Sequence, residues 1–232
     1  MRQLESYADE RLTAACIYCG RATQTRDHVP SRVLLNEPYP NNLPVVPACN
    51  ECNRGYSLDE EYFACLVECA RTGSVQAAQR RKIIRILSEC PALAEKLSRA
   101  RSIHENGSIS FFAEQQRIKN VALKLTRGHA YFEASETVHH EPSHFLATPL
   151  ATLDEFARNH FETVPTSSIW PEVGSRAMQR LIISNNDVTN EGWIEVQTGQ
   201  YRYFVVAEGP VMVRFVVSEY LACEVIWDYI DL

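Results

Sequence analysis

Residues 16–60 read CIYCGRATQTRDHVPSRVLLNEPYPNNLPVVPACNECNRGYSLDE, and they carry the densest set of chemically distinctive side chains in the chain. Two Cys-x2-Cys pairs, Cys16/Cys19 and Cys49/Cys52, enclose an Asp-His dipeptide and an Asn-Asn-Leu run. Such pairs supply four thiolates, which a structural zinc ion prefers in a tetrahedral site. The spacing therefore predicts a zinc site that holds together the ends of the 29 residues between Cys19 and Cys49.

The N-terminal residues and the remaining cysteines indicate the cellular compartment that we expect for the protein. The first residues, MRQLESYADERL, are charged, and no apolar run approaches the roughly 20 residues that cross a bilayer. We expect a cytoplasmic protein with no membrane partner, in which Cys-x2-Cys spacing indicates metal binding and not disulfides. The other cysteines are expected to be buried, reduced thiols, with a metal site at the first two as the alternative; they are Cys65, Cys69, Cys90 and Cys223.

Three residues inside this frame suit hydrolytic chemistry. His28 titrates near neutral pH, as a general base must. Asp27 offers a hard carboxylate ligand for magnesium or manganese, and Asn53 offers an amide oxygen beside a zinc cysteine. Four cysteines would fill the zinc coordination sphere, so that ion could not activate water itself. Taken singly, Asp, His and Asn residues in loops more often form turns and caps, and the residues alone leave both interpretations open.

The segment resembles the HNH endonuclease family, whose ββα-metal fold joins a hairpin to a helix around one divalent ion. The features that match are Asp27-His28-Val29-Pro30, Asn42-Leu43 and the CNECNRG run that starts at Cys49. The resemblance implies that His28 takes a proton from the attacking water. It also implies that Asp27 and Asn53 hold a catalytic magnesium or manganese ion that stabilises the leaving 3′ oxygen.

Further roles follow only from this resemblance. Asn42 would orient the His28 ring, and Arg32 and Arg54 would contact phosphates, with ordinary surface arginines as the alternative. The last position of the family motif is often histidine, whereas this chain has Asn53. The resemblance implies a DNA endonuclease that nicks one strand at a time, in antiviral defence for example, with an ATPase or a second copy of the chain as partner. The rival hypothesis is a non-catalytic zinc-ribbon module that binds nucleic acid or protein.

The rest of the sequence predicts an α+β fold in two parts. Residues 1–72 would form the HNH nuclease module with its zinc site, and residues 73–232 an α+β domain of unknown role, with a helical segment and then a C-terminal antiparallel sheet. We expect helices at 58–71, 75–89, 92–101, 114–126 and 153–160, and a hairpin that turns at Asn106-Gly107. Strands are expected at 193–197, 201–207 and 211–217, and a short helix at 219–223.

Three local signals refine this outline. Ser57 and Glu60 fit a capping box at the start of the helix at 58–71, Gly73 fits its end, and Gly128 fits the position just past the helix at 114–126. The aromatic residues of the C-terminal strands are expected in the core. The cluster of His139, His140, Glu141 and His144 is either a solvated loop or a metal site, and the sequence favours the loop.

Charge is distributed unevenly along the chain. The formal net charge is −6 and the isoelectric point is near 5.7, which is unusual for a protein that binds nucleic acid over its whole surface. Residues 71–101, however, carry eight basic side chains against two acidic ones. Such a segment either attracts phosphates locally or forms a solvated helix face.

Overall fold

The computed structural model describes residues 14–41, 43–165, 192–207 and 209–228. The helices are α1 (Asn50–Gly55), α2 (Ser57–Thr72), α3 (Arg81–Glu89), α4 (Pro91–Ala100), α5 (Gln115–Ala134) and α6 (Glu155–Glu162). The strands are β1 (Thr25–His28), β2 (Val45–Ala48), β3 (Arg101–Ile103), β4 (Ile109–Phe111), β5 (His144–Pro149), β6 (Ile194–Gln197), β7 (Tyr201–Ala207), β8 (Val211–Val217) and β9 (Leu221–Trp227). The chain is therefore a mixed α+β protein, as predicted.

The N-terminal part is a two-stranded antiparallel sheet followed directly by two helices. Strands β1 and β2 pair from Thr25 opposite Ala48 to His28 opposite Val45. Cys49 caps α1 by accepting the backbone N–H of Cys52 on its sulfur. The element order agrees with the predicted module, whose family assignment and catalytic metal remain predictions.

Helix α2 confirms the expected helix but not its expected cap. It ends at Gly73, whose φ of 88° suits the left-handed C-terminal position of a glycine. The capping box is wrong: the N-cap is Tyr56, and Ser57 donates its hydroxyl to the Arg54 carbonyl. The Glu60 side chain instead contacts Lys124 and Ser31, because a buried ammonium is a stronger partner than a helix-end amide.

Helix α3 begins later than the sequence predicts, at Arg81 and not near residue 75. The Glu68 carboxylate accepts the backbone N–H groups of Gln79 (2.7 Å) and Arg80 (3.1 Å), and these bonds fix the chain in an irregular segment before the helix. Helix α4 and the β3–β4 hairpin occur as predicted. Cys90, which we expected to be buried, is exposed between α3 and α4, whereas Cys65, Cys69 and Cys223 are buried.

The largest departure in the helical region is α5, which continues well past its predicted end to Ala134. Gly128 lies inside the helix, and Val29 packs directly against its backbone. A Cβ atom at Gly128 would lie 2.5 Å from Val29 Cγ2 and 3.0 Å from Cγ1. The glycine therefore permits a close approach between α5 and the residue that follows β1, and it does not terminate the helix.

The C-terminal sheet has five strands in the order β5-β9-β8-β7-β6, all antiparallel. Strands β6 to β8 match the prediction, but the predicted helix at 219–223 is wrong, since this segment enters strand β9. Ser218 and Glu219 adopt positive φ values of 55° and 45°, which reverse the chain into a tight hairpin. Strand β5 was not predicted.

The core lies on both faces of this sheet. Helix α5 packs against one face, where helices α2 to α5 share a cluster with Tyr201, Phe215 and Cys223. On the other face, Trp193 and Phe204 pack with Phe161 of α6. The expected burial of the C-terminal aromatic residues is thus confirmed. Among the helices of the described residues, none is both long and apolar enough to span a bilayer.

The contact between Gly128 and Val29 gives a first prediction. The Gly128→Ala variant should lose about 1–3 kcal/mol of unfolding free energy, because the stiff Val29 side chain cannot rotate away from the new methyl group. Thermal denaturation should show a fall in Tm of several degrees. The matched control is Gly55→Ala, in helix α1 with open space around the new Cβ. Its Tm should stay the same or rise, and equal melting of the two variants would refute the close approach.

Candidate functional site

The four predicted zinc cysteines meet at one point. The sulfur atoms of Cys16, Cys19, Cys49 and Cys52 all lie within 4.8 Å of one another, and none forms a disulfide. The Cys19 and Cys49 sulfurs are 3.7 Å apart. A tetrahedral zinc site with Zn–S bonds of about 2.3 Å has sulfur–sulfur edges of about 3.8 Å. The cluster could therefore hold a structural metal such as zinc.

Backbone hydrogen bonds form the first cysteine turn and join it to β2. The Cys16 carbonyl accepts the N–H of Gly20 (2.8 Å), the Cys16 N–H donates to Arg21 (2.7 Å), and the Ile17 N–H donates to Pro47 (3.1 Å). Hydrogen bonds from Arg21 lower the pKa of the Cys19 thiol to about 6, which favours its thiolate. The two cysteine turns are thus positioned by the backbone, and a metal ion would fix their separation.

Asp27 and His28 are neighbours on β1, and a strand directs successive side chains to opposite faces. Asp27 is buried, and its Oδ2 accepts hydrogen bonds from Tyr18 Oη (2.9 Å) and Lys124 Nζ (2.8 Å). Burial and the nearby Asp27 carboxylate raise the pKa of Tyr18 well above its ordinary value, so the phenol keeps the proton that it donates. Asp27 therefore lies in a buried polar network.

Lys124, from helix α5, is the centre of that network. Its side chain is 1% exposed, and its ammonium contacts both Asp27 and Glu60, with Ser31 Oγ at 3.2 Å. Burial lowers the pKa of Lys124, but the two carboxylates outweigh that effect and raise it overall, so the side chain stays charged. One cation faces two carboxylates, and burial raises the pKa of Glu60.

His28 lies at the end of β1 and is half-buried. Its Nε2 is 2.9 Å from Nη2 of Arg32, an exposed residue four positions further along the chain. Burial, the positive charge of Arg32 and that of Lys124 lower the pKa of His28, with Asp27 opposing them. The imidazole is therefore neutral near pH 7, which is the form that accepts a proton.

Asn53 packs against β1 from helix α1. Its Nδ2 donates weakly to Thr25 Oγ1 (3.4 Å) and to the Arg26 carbonyl (3.3 Å). Thr25 lies two residues before Asp27, so the two share a face of the strand, and Asn53 lies on the Asp27 side. Asp27 and His28 thus lie on β1 with their side chains on opposite faces, and Asn53 contacts the strand from α1 on the Asp27 side. Arg54 is exposed on α1, and Asn42 lies outside the described residues.

Sequence reasoning missed the polar network around Asp27, although one signal was present. Val121, Lys124, Leu125 and Gly128 follow the i, i+3, i+4, i+7 spacing of a buried helix face. A lysine at such a position requires a buried carboxylate partner. The signal predicts that a partner exists but does not say which acidic residue it is.

Searches of protein-family models, curated proteins and solved structures found no match for this chain. The functional argument consequently depends on the geometry of the residues described above.

The cysteine cluster predicts a tightly bound metal ion. Freshly purified protein should contain about one zinc ion per chain, measured by elemental analysis. The Cys19→Ser variant should retain much less zinc and melt at a lower temperature, because a serine hydroxyl is a poor ligand for zinc. The control is Cys90→Ser, which replaces another exposed cysteine outside the cluster and should keep its zinc. A wild-type zinc content well below one ion per chain would rule out the site.

The buried network predicts an unusually large effect of one lysine. Lys124→Met should cost about 3–5 kcal/mol of unfolding free energy, because it leaves two carboxylates without their buried cation. Lys119 is the matched control, since it lies on the same helix and pairs with Glu141 at 2.8 Å but is 35% exposed. Lys119→Met should cost about 1 kcal/mol or less. Urea denaturation measures both values, and similar losses would contradict the central role of Lys124.

Proposed function

We propose that the chain is a metal-dependent endonuclease that hydrolyses DNA phosphodiester bonds, with His28 as its general base. The observation that carries this proposal is the position of His28, a half-buried imidazole whose Nε2 lies 2.9 Å from the guanidinium of the exposed Arg32. A neutral histidine beside an exposed arginine combines a proton acceptor with a phosphate-binding cation. The resemblance of roughly residues 14–65 to HNH endonucleases gives further support.

In the proposed reaction, His28 takes a proton from water while the water oxygen attacks phosphorus and the bond to the 3′ oxygen breaks. The guanidinium of Arg32 donates to Nε2 in the structure. If that group turns toward a bound phosphate, it frees the Nε2 lone pair for the proton of water. Arg32 would thus hold the imidazole in place before substrate binds and hold the phosphate afterwards.

The donor set is compatible with a magnesium or manganese ion held by few protein ligands. Tyr18 and Lys124 occupy Oδ2 of Asp27, so Oδ1 is the oxygen that Asp27 would offer. The Nδ2 contacts of Asn53 direct its amide nitrogen toward β1, so Oδ1 would be its ligand atom. Magnesium commonly binds one or two protein oxygens and keeps several waters. The ion would stabilise negative charge on the leaving 3′ oxygen.

The burial of Asp27 also favours the second candidate, a zinc-ribbon module that binds nucleic acid or protein without cutting. A carboxylate that accepts bonds from Tyr18 and Lys124 can be purely structural. In that case His28 and Arg32 would form a surface pair with no reaction to catalyse.

Each chain of the proposed nuclease would have one catalytic site, which determines how it cuts DNA. One general base and one metal ion serve one phosphate, so a single chain would nick DNA. Double-strand breaks would need a second copy of the chain or repeated action. The family resemblance further implies a role such as phage defence in the cytoplasm, with residues 73–232 contacting a second copy or a partner such as an ATPase.

A plasmid assay distinguishes the two candidates. Wild-type protein with magnesium or manganese should convert supercoiled plasmid to the open circle, and His28→Ala should lower the rate by about 10²–10⁴, the usual contribution of general base catalysis. The control is His104→Ala, since His104 lies in the β3–β4 turn and forms hydrogen bonds with Gly107, Ser108 and Ser110 of that hairpin. It should nick at the wild-type rate.

The pH profile of nicking is a second readout of the same assay. Because the pKa of His28 is lowered, the base stays neutral until the pH falls below its ordinary value of about 6.5. The acidic limb of kcat/KM, which reports the free enzyme, should therefore reach half its maximum below that pH, at constant metal concentration. A wild type that never nicks would leave only the binding module, and a His28→Ala variant that nicks equally would refute His28 as the general base.

A further inference from the structure

A basic cleft lies beside the site, and most of its lining residues lie outside the segment that resembles the nuclease family. It has a volume of about 680 Å³ and lies between the residues that follow the short helix at Arg32–Leu34, helix α3 and the β6–β7 turn. The basic residues among its lining are Arg71, Arg80, Arg81, Lys82 and Arg85, and the lining carboxylate in the described part of the chain is Glu37. The cleft is thus strongly positive in a chain whose net charge is −6.

Two of these cations form hydrogen bonds with neutral groups. Arg80 is buried and donates to Asn36 Oδ1 (2.8 Å) and to the carbonyls of Val33 (2.9 Å) and Leu35 (3.0 Å). Lys82 donates to Tyr39 Oη at 2.7 Å. Burial lowers the pKa of both side chains, with Glu68 opposing this at Arg80 and Glu37 opposing it at Lys82. Hydrogen bonds to neutral oxygens hold the side chains in place but do not cancel their positive charge.

Helix α3 concentrates positive charge where a helix alone would disfavour it. Arg81 and Lys82 lie in its first turn, which has no acidic residue, and cations at a helix N-terminus oppose the helix dipole. Arg81 and Arg85 are four residues apart, a spacing at which like charges repel, and an exposed pair of Arg85 with Glu89 at 3.9 Å offsets this only in part. The opposite side of the helix is buried through Ile83, Ile86 and Leu87. This arrangement is locally unfavourable without an anion, as is common where function overrides stability.

The cleft connects to His28 through alternating cationic and aromatic groups. The guanidinium of Arg32, which contacts His28, lies 5.6 Å from the centre of the Tyr39 ring. Lys82 Nζ lies 5.1 Å from the same ring centre and donates to the Arg32 carbonyl at 3.2 Å. Positive charge therefore extends from the proposed general base through Tyr39 into the cleft.

We propose that this path binds the phosphodiester backbone of a DNA strand next to the phosphate attacked by the water that His28 deprotonates. Arg32 would contact the cut phosphate, while Arg81, Lys82 and Arg85 would contact phosphates further along the strand. A base could stack on Tyr39. The assignment of DNA as the ligand rests on the proposed nuclease function, but binding can be measured without cleavage. The local path explains how an acidic chain could hold a polyanion.

Anisotropy of fluorescein-labelled duplex DNA tests the proposal in the full-length His28→Ala chain. Adding Arg81→Gln and Arg85→Gln should raise Kd at least tenfold. It should also reduce the slope of log K against log salt by roughly 2, because each lost phosphate contact removes about 0.9. The control adds Lys96→Gln and Arg99→Gln, which remove the same charge from exposed positions on α4. These side chains belong to the same basic segment of sequence but do not line the cleft.

The control pair should change Kd less than twofold and leave the salt slope unchanged. Equal effects of the two pairs would show a general charge effect and overturn the proposal, as would a cleft pair that binds like its parent. In the chain with His28 intact, the cleft pair should raise KM for nicking and leave kcat nearly unchanged. Binding through the cleft without nicking by the wild type would refute the nuclease and retain the DNA site. Nicking by the wild type, together with unchanged DNA binding by the cleft pair, would retain the nuclease and refute the DNA site.

Discussion

The ion pairs of Lys124 with Asp27 and Glu60 hold the N-terminal part of this protein together. They join strand β1, helix α2 and helix α5 at a point where the lysine is 1% exposed. Removing a charged group from water costs several kcal/mol, and only well-placed partners offset that cost. The three elements consequently keep a fixed separation. This also fixes the position of His28, because it follows Asp27 on the same strand.

Helix α5 carries this constraint to the rest of the molecule. Its buried residues contribute to three separate clusters: Ile118 and Val121 to the main core, Tyr131 and Phe132 to the cluster around Cys16 and Cys49, and Leu123 and Ala130 to the far end of the sheet. Gly128 allows the helix to approach Val29 closely. Residues beyond 72 thus supply a charge, a close contact and aromatic packing to the predicted nuclease module.

Sequence patterns predicted those features whose determinants are close together in the chain. The cysteine cluster follows from two Cys-x2-Cys turns, and strands β6 to β8 follow from alternation and turn residues. Strand β9 was missed because its residues are buried on both faces, so it shows no alternation. At the site, Asp27 was recognised as an acidic group, but its partner Lys124 lies far along the chain. The ammonium reaches Asp27 only through tertiary packing, which no local spacing encodes.

Arg32 takes part in both proposals, namely proton transfer by His28 and DNA binding along the basic cleft. Its positive charge helps to lower the pKa of His28, and it is also the first cation of the path into the basic cleft. When a phosphate binds there, its negative charge offsets that of Arg32 and the pKa of His28 rises. Since base strength increases with pKa, the imidazole would become a better proton acceptor as substrate arrives. In free protein the same histidine stays neutral because burial and the charge of Arg32 oppose its protonation. Substrate binding and proton transfer would then be coupled through one arginine.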